Sequence, residues 1–173
     1  SLLSGVRSDR QHGCSRCCLD NMPCVGLILC TIHFTQELGG SMSLAAHGIA
    51  ASNELVVEVE PDQEGGYEGA KRLLGLRSRP TAIFAYNDRV AMGVYAAAGE
   101  DGLAIPDDLA VIGFDNQEVI SAHLRPPLST IALPHYDMGW WGVNRLLSGR
   151  SPGRGDGTGQ HRIACPYVER SSV

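Results

Sequence analysis

Residues 80–115 carry the clearest pattern in this chain and read PTAIFAYNDRVAMGVYAAAGEDGLAIPDDLAVIGFD. Two runs within this stretch, residues 81–85 and 109–114, are apolar along their whole length, which is typical of strands covered on both faces in a parallel sheet. Between them, residues 88–98 repeat apolar side chains at helical spacing and are followed by glycines suited to end a helix. The stretch therefore predicts a strand, a helix and a second strand parallel to the first.

The same alternation extends upstream of this stretch. Residues 55–59 are rich in β-branched side chains and predict a strand, and residues 64–76 predict an amphipathic helix. The three predicted strands start roughly 26 to 28 residues apart, which is about the length of a βαβ unit. We therefore expect them to lie side by side and parallel, in an α/β fold with a parallel sheet and flanking helices.

Downstream the pattern is less regular. It predicts an extended segment over residues 126–134, an amphipathic helix over 136–147, a flexible loop over 148–160 and a short strand over 167–168.

The composition narrows the class of protein. The chain has 173 residues, is 43% hydrophobic and carries a net charge of −5, so no whole-chain surface for nucleic acid is expected. No apolar run reaches the roughly 18 residues typical of a transmembrane helix. The start of the chain lacks the ordered basic, apolar and small-residue regions of a secretory signal. The sequence therefore predicts a cytoplasmic chain without a membrane partner.

The first 43 residues differ in composition from the rest, because they contain five of the six cysteines. Within them, residues 25–32 form a short apolar run that predicts a buried strand. Thiolates and imidazoles are zinc ligands, so a zinc site is one interpretation. The side chains concerned are Cys14, Cys17, Cys18, Cys24, His12 and His33. A second well-spaced ligand pair is missing, and we therefore favour accidental cysteines and predict no metal site.

Polar side chains follow each of the three predicted strands. Glu60 and Asp62 follow the first, with Pro61 between them, Asn87 and Asp88 follow the second, and Asp115 follows the third. Ligands of open parallel sheets bind beyond the carboxyl ends of the strands. Carboxylates accept hydrogen bonds from hydroxyls and amides both donate and accept, which suits a neutral polyol. The alternative is that these residues only cap helices.

Signatures of catalysis are missing. No dinucleotide-binding glycine motif, phosphate-binding loop or Gly-x-Ser-x-Gly elbow is present. Ser121, His123 and Asp115 are close in sequence, but a catalytic triad is defined by geometry rather than by spacing. We therefore predict neither an enzyme nor a cofactor.

Four segments together resemble the lactose-repressor (LacI/GalR) family of transcription regulators. They are RPTAIFAYNDRVAMG at 79–93, IPDDLAVIGFDN at 105–116, LRPPLSTI at 124–131 and VERSS at 168–172, the last with the family's usual Arg–Glu order reversed. The resemblance runs in order from about residue 44 to the end of the chain. It implies a partial effector-binding sensor domain over residues 44–173, with residues 1–43 unassigned.

The resemblance also implies site residues and partners. The sensor of this family has two subdomains with an effector, often a sugar or a nucleobase, between them. Asn87 and Asp115 fall where the family contacts effector hydroxyls or ring atoms, and Pro61 falls where many members place a stacking aromatic. The small-residue helix that begins at Asp88 and ends at Ala98, together with the segment after Asp115, corresponds to surfaces that form a homodimer.

The differences between this sequence and the family lead to further expectations. The DNA-binding head and most of the first subdomain are not matched, and residues 1–43 differ where the family has a strand, a helix and an effector-binding arginine. A shifted reading frame, an alternative start or a true variant would each produce this change. The helix at 136–147 corresponds to part of the first subdomain. Without that subdomain, Trp140, Trp141 and Leu146 are expected to form an exposed apolar patch.

The leading hypothesis is therefore that this chain is the effector-sensing part of a transcription regulator. Such a regulator contacts operator DNA only through its DNA-binding head, and this sequence contains no match to that head. A solute-binding transport protein of the same fold is the first alternative, and a non-functional fragment is the second. An enzyme on a related α/β scaffold ranks below both.

Overall fold

A six-stranded sheet organises the part of the chain that the computed structural model describes, which is residues 25–30, 46–47, 52–148 and 161–173. The strands are β1 (Val25–Cys30), β2 (Val56–Val59), β3 (Ala82–Ala85), β4 (Ala110–Asp115), β5 (Ser129–Ala132) and β6 (Tyr167–Val168). The helices are α1 (Gln63–Leu74), α2 (Asp88–Glu100), α3 (Glu118–Ser121) and α4 (His135–Leu147), and a 3-10 turn (Asn53–Leu55) precedes β2.

The sheet has the order β2-β1-β3-β4-β5-β6, with β1 to β5 parallel and β6 antiparallel to β5. The expectation that the strands near residues 55–59 and 81–85 pair directly is wrong, because β1 lies between them and pairs with both. Burial explains this order. Leu27 and Ile28 of β1 are buried, which suits a central strand, whereas β2 carries the exposed Glu58 and lies at the edge.

The predicted α/β class with a parallel sheet and flanking helices is confirmed. The predicted elements agree with the observed ones to within about two residues at most ends. The strand expected over residues 25–32 is present as β1, and its last two predicted positions lie outside the described residues. The cysteine cluster at residues 14–24, His12, His33 and most of the loop at 148–160 also lie outside them.

Helix α4 differs from α1 and α2 in having no buried residue. Trp140 is 60% exposed and Leu146 is 81% exposed, so these two side chains lack burial as expected. Trp141 is half-buried, and its ring stacks on that of His161 with 5.1 Å between centroids. Among the helices that the structure describes, none combines the length and the apolar character needed to cross a membrane.

The exposure of α4 leads to a stability prediction. Leu146→Gln is expected to change the free energy of unfolding by less than about 0.5 kcal/mol, because that side chain is 81% exposed. The matched substitution Leu73→Ala, at a fully buried leucine of α1, is expected to cost about 2–5 kcal/mol. Urea denaturation measures both. A loss at Leu146 as large as at Leu73 would mean that α4 is packed in solution.

Candidate functional site

Three loops meet at the carboxyl edge of the sheet, as the sequence predicts. They follow β2, β3 and β4, and two hydrogen bonds join them. The side-chain amide of Asn87 donates from Nδ2 to the carbonyl oxygen of Pro61 at 3.2 Å. The backbone N–H of Gln117 donates to Oδ2 of Asp88 at 2.6 Å. The loops after β2, β3 and β4 therefore form one connected group, which we call the strand-end loops (residues 60–62, 86–88 and 115–117).

Helix capping accounts for part of this arrangement. Oδ1 of Asn87 accepts from the backbone N–H of Val90, and Oδ1 of Asp62 accepts from that of Gly65, each at 2.8 Å. Both residues are therefore N-caps, of α2 and α1 respectively. Capping and ligand contact are compatible, because an amide retains a second N–H and a carboxylate a second oxygen. Effector contact by Asn87 and by the exposed Asp62 stays a prediction.

Pro61 contributes its backbone rather than its side chain to the strand-end loops. Its carbonyl accepts the hydrogen bond from Asn87, and its ring is half-buried. A proline ring has no π-system, so this position cannot provide the stacking contact that an aromatic residue would.

Asp115 lies in a strained turn at the end of β4. Its φ is 99° and that of Asn116 is 54°, a left-handed conformation that non-glycine residues rarely adopt. Such strain persists only where the surrounding structure enforces it, and it concentrates at ligand sites. Oδ2 of Asp115 accepts a hydrogen bond from Nε2 of Gln117 at 3.2 Å. The turn therefore places the Asp115 carboxylate at the carboxyl edge of the sheet.

The electrostatics of Asp115 reflect partial burial. Burial raises the pKa of this carboxyl group above its ordinary value, and this effect exceeds the lowering by the Gln117 hydrogen bond and by the charges of His135 and Arg89. The ionised form is therefore less stable in the folded chain than in water. A hydroxyl donor from a ligand would compensate for the lost hydration.

This raised pKa gives a pH-dependent prediction. The folded chain binds the Asp115 proton more tightly than the unfolded chain, so this group's contribution to stability falls as the pH rises from 3.8 through the folded pKa. Asp115→Asn is then expected to raise the free energy of unfolding near neutral pH, because it removes a partly buried charge. Thermal unfolding between about pH 7 and about pH 4 should show the difference from wild type shrinking in acid. A difference that stays constant or widens in acid would contradict this account.

Asp88 has a role that the sequence reasoning missed. Its side chain is fully buried, Oδ1 accepts from Oγ1 of Thr130 at 2.7 Å, and Oδ2 accepts from the backbone of Gln117. Burial raises the pKa of Asp88, and the nearby Asp115 adds to this, while the two hydrogen bonds and the charge of Arg170 oppose it. Gly113 leaves room for the carboxylate, since a Cβ there would overlap Oδ1 of Asp88. The sequence placed Asp88 among the polar groups after the second predicted strand and at the start of a helix, but it did not indicate that the carboxylate is buried.

Arg170 is the second residue that sequence reasoning did not assign to the site. Its guanidinium donates from Nη1 to the carbonyl of Leu128 at 2.7 Å and from Nη2 to Oδ1 of Asn116 at 2.8 Å. Its backbone N–H donates to Oγ of Ser129 at 2.9 Å. The partner Asn116 is 54 positions away in the chain, so no local pattern could have indicated the contact.

The hydrogen bonds that the structure gives to Ser121 and His123 do not join these two side chains into a triad with Asp115. Oγ of Ser121 donates to the carbonyl of Gln117 at 3.1 Å, and the exposed His123 places Nδ1 3.2 Å from the carbonyl of Glu118. Within residues 25–30, 46–47, 52–148 and 161–173, no group of three His, Cys, Asp or Glu side chains could hold a metal ion.

One open cleft lies elsewhere on the chain, between α4 and residues 161–164. Its volume is about 350 Å³, and it shares no lining residue with the strand-end loops. It is lined by Asp137, Trp140, Trp141, His161, Arg162, Ile163 and Ala164. The convergence of carboxylate and amide groups is found at the strand-end loops instead, and we take those loops as the candidate site.

Comparison with known sequences finds a family that matches this chain and several repressors that are similar to it. Residues 37–173 match the family described as periplasmic binding protein-like domain. The chain is 41% identical over 109 residues, 63% of its length, to the ribose operon repressor of Haemophilus influenzae. It is 33% identical over 135 residues, 78% of its length, to the transcriptional repressor CytR of Escherichia coli. These matches cover 32% and 39% of the two repressors, so the chain spans about a third of the relatives' length.

Solved structures give the same picture. A LacI family transcriptional regulator from Enterococcus faecalis with bound ribose superposes with a TM-score of 0.69 at 29% identity, over 87% of this chain and 54% of that one. A sugar-binding LacI family regulator from Escherichia coli, complexed with phosphate, has a TM-score of 0.74 at 27% identity, over 86% of this chain and 54% of that one.

Proposed function

This chain belongs to the periplasmic binding protein-like domain family, and on that premise we propose that it is the effector-sensing part of a LacI-type transcription regulator. The observation that carries the proposal is the connected group of strand-end loops, with Asp115 held in a strained turn. Ligands of open parallel sheets bind at this edge. The similar repressors are transcription regulators, and the proposal accordingly assigns no reaction to this chain.

The proposed effector is a small neutral polyol, with a pentose as the first candidate. Asp115 would accept from effector hydroxyls, and the remaining N–H of the Asn87 amide would donate to an effector oxygen. Asp62 would contribute at the exposed rim of the site. The ribose operon repressor and the ribose-bound regulator among the similar proteins support a sugar of this size.

The proposed mechanism is a shift between two arrangements of the sensor. An effector changes such an equilibrium only to the extent that it binds one arrangement more tightly than the other. In this proposal the chain forms a homodimer through α2 and the segment after Asp115, where Val119 is 82% exposed. Operator DNA would be contacted by a separate head rather than by this acidic chain, and the site of action would be the cytoplasm.

Calorimetry tests the sensing function directly. The 173-residue chain would be titrated with D-ribose, D-glucose, cellobiose, cytidine and hypoxanthine. We expect one chemical class to bind with a Kd of roughly 1 mM or tighter, because the strand-end loops supply only part of the contacts that enclose an effector. No binding by a chain that is demonstrably folded would contradict the proposal and favour a non-functional fragment.

A solute-binding transport protein of the same fold would also bind a sugar, so a second observation is needed. Genomic DNA upstream of the coding sequence separates the two classes. A reading frame for a helix-turn-helix head and a first subdomain would support the regulator. A secretory signal in that position would contradict it.

A further inference from the structure

The turn after β4 is unfavourable by itself, and something must hold it. Asp115 and Asn116 both have positive φ values, 99° and 54°, although neither is glycine. Left-handed non-glycine residues persist where neighbouring groups over-determine the backbone. Two charged side chains distant in sequence, Asp88 and Arg170, contact the residues that follow Asp115.

Asp88 holds the end of the turn from inside the fold. Its carboxylate is fully buried and accepts the backbone N–H of Gln117 at 2.6 Å, while Thr130 fixes the other oxygen at 2.7 Å. Since both oxygens are engaged, the carboxylate cannot rotate away without leaving a buried donor unpaired. The position of Gln117 is therefore fixed from α2 and β5 rather than from its own loop.

Arg170 holds the middle of the turn from the other side. One nitrogen of its planar fork donates to Asn116 and another to Leu128. The segment that carries Arg170 is itself anchored, because Oγ of the fully buried Ser172 donates to the carbonyl of Val111 at 2.6 Å and accepts from the N–H of Ser129 at 2.8 Å. Arg170 thus connects the turn to the central strands.

We propose that Asp88 and Arg170 are positioning residues of the effector site, which hold residues 115–117 in the strained turn and so aim the Asp115 carboxylate. This rests on the proposed function, since the turn is taken as part of a sugar site. The charges are consistent with the arrangement: the Arg170 charge lowers the pKa of Asp88, and the Asp115 charge raises it. Neither Asp88 nor Arg170 needs to touch the effector.

The first test uses the ligand-free chain and measures hydrogen exchange at the Gln117 amide by NMR. In Asp88→Ala and in Arg170→Met we expect this amide to exchange roughly tenfold to a hundredfold faster, relative to the amides of β3. Asp88→Asn should keep its protection, because the amide oxygen can still accept from Gln117. If Asp88→Ala does not fold, the Gln117 exchange rates of Arg170→Met and Asp88→Asn test the proposal instead. Unchanged exchange at Gln117 in Arg170→Met would overturn the proposal.

The second test measures binding of D-ribose. Arg170→Met should weaken it about tenfold, and it should also lower the Tm because the carbonyl of Leu128 loses its donor. Leu73→Ala is the control: it removes a fully buried side chain at the end of α1 opposite the strand-end loops, and it should lower the Tm but leave the Kd within about twofold. Loss of affinity in proportion to loss of stability in both variants would overturn the positioning role. If wild type binds no ribose, ribose is not the effector and the proposed sugar sensing depends on the other sugars of the calorimetric panel. The exchange measurement then decides about Asp88 and Arg170.

Discussion

Gly93→Ala is expected to destabilise the chain by about 3 kcal/mol, because it forces apart two helices that cross at backbone distance. A Cβ at Gly93 of α2 would overlap the carbonyl oxygen of Gln63 and the backbone nitrogen of Tyr67 in α1. A Cβ at Gly66 of α1 would likewise overlap the carbonyl of Val90. These neighbours are backbone atoms, so no flexible side chain can move aside. The helices would have to separate, and the core beneath them would lose its packing.

Gly99→Ala is the matched control for this prediction. Gly99 lies in the same helix, and a Cβ added there would meet no heavy atom within 4 Å from outside the adjoining turns of α2. The control should be neutral or stabilise by up to about 1 kcal/mol, as alanine favours helix more than glycine does. Urea denaturation gives both values. Equal effects of the two substitutions would show that α1 and α2 do not cross this closely.

Asp115→Ala is expected to weaken binding of D-ribose by about a hundredfold. The substitution removes a charged acceptor, and each hydrogen bond to a charged group contributes about 1.5–3 kcal/mol. Alanine is also less tolerant of the φ of 99° at this position than aspartate. Asp115→Asn keeps that tolerance and should weaken binding by about tenfold only. Calorimetry with the titrated sugar measures the Kd of each variant.

The control for Asp115→Ala removes an equal charge from the opposite end of the same strand. Asp107 is exposed and precedes β4, whereas Asp115 ends it. Asp107→Ala should leave the Kd within about twofold. If it weakens ribose binding as strongly as Asp115→Ala, the effect comes from net charge and the assignment of Asp115 is wrong.

The middle of the fold could be predicted from sequence because its signals are local. Strands β3 and β4 appear as unbroken apolar runs, although one face of each is mostly buried and the other mostly half-buried. Helix α2 repeats its buried Val90 and Val94 at helical spacing. The location of Asn87 and Asp115 at the same edge of the sheet followed from parallel topology alone. Their contact with an effector is still a prediction, for Asn87 is also explained by capping.

The remaining features depend on contacts between distant parts of the chain. The central position of β1 is set by the burial of Leu27 and Ile28 between two other strands. The buried pairing of Asp88 with Thr130 spans 42 positions. The left-handed turn at Asp115 has no glycine to indicate it, because tertiary contacts rather than local preference enforce it. Such features follow from the three-dimensional structure and not from any local stretch of sequence.

The most direct test of a sugar site at the strand-end loops is an NMR titration of the 173-residue chain with D-ribose. We expect the largest amide shifts at Asn87, Asp88 and residues 115–117, with smaller ones at Asp62. The indole signals of Trp140 and Trp141, in the separate cleft beside α4, should stay unchanged. Shifts confined to those indoles, or no shifts at the strand-end loops at saturating ribose, would contradict the account.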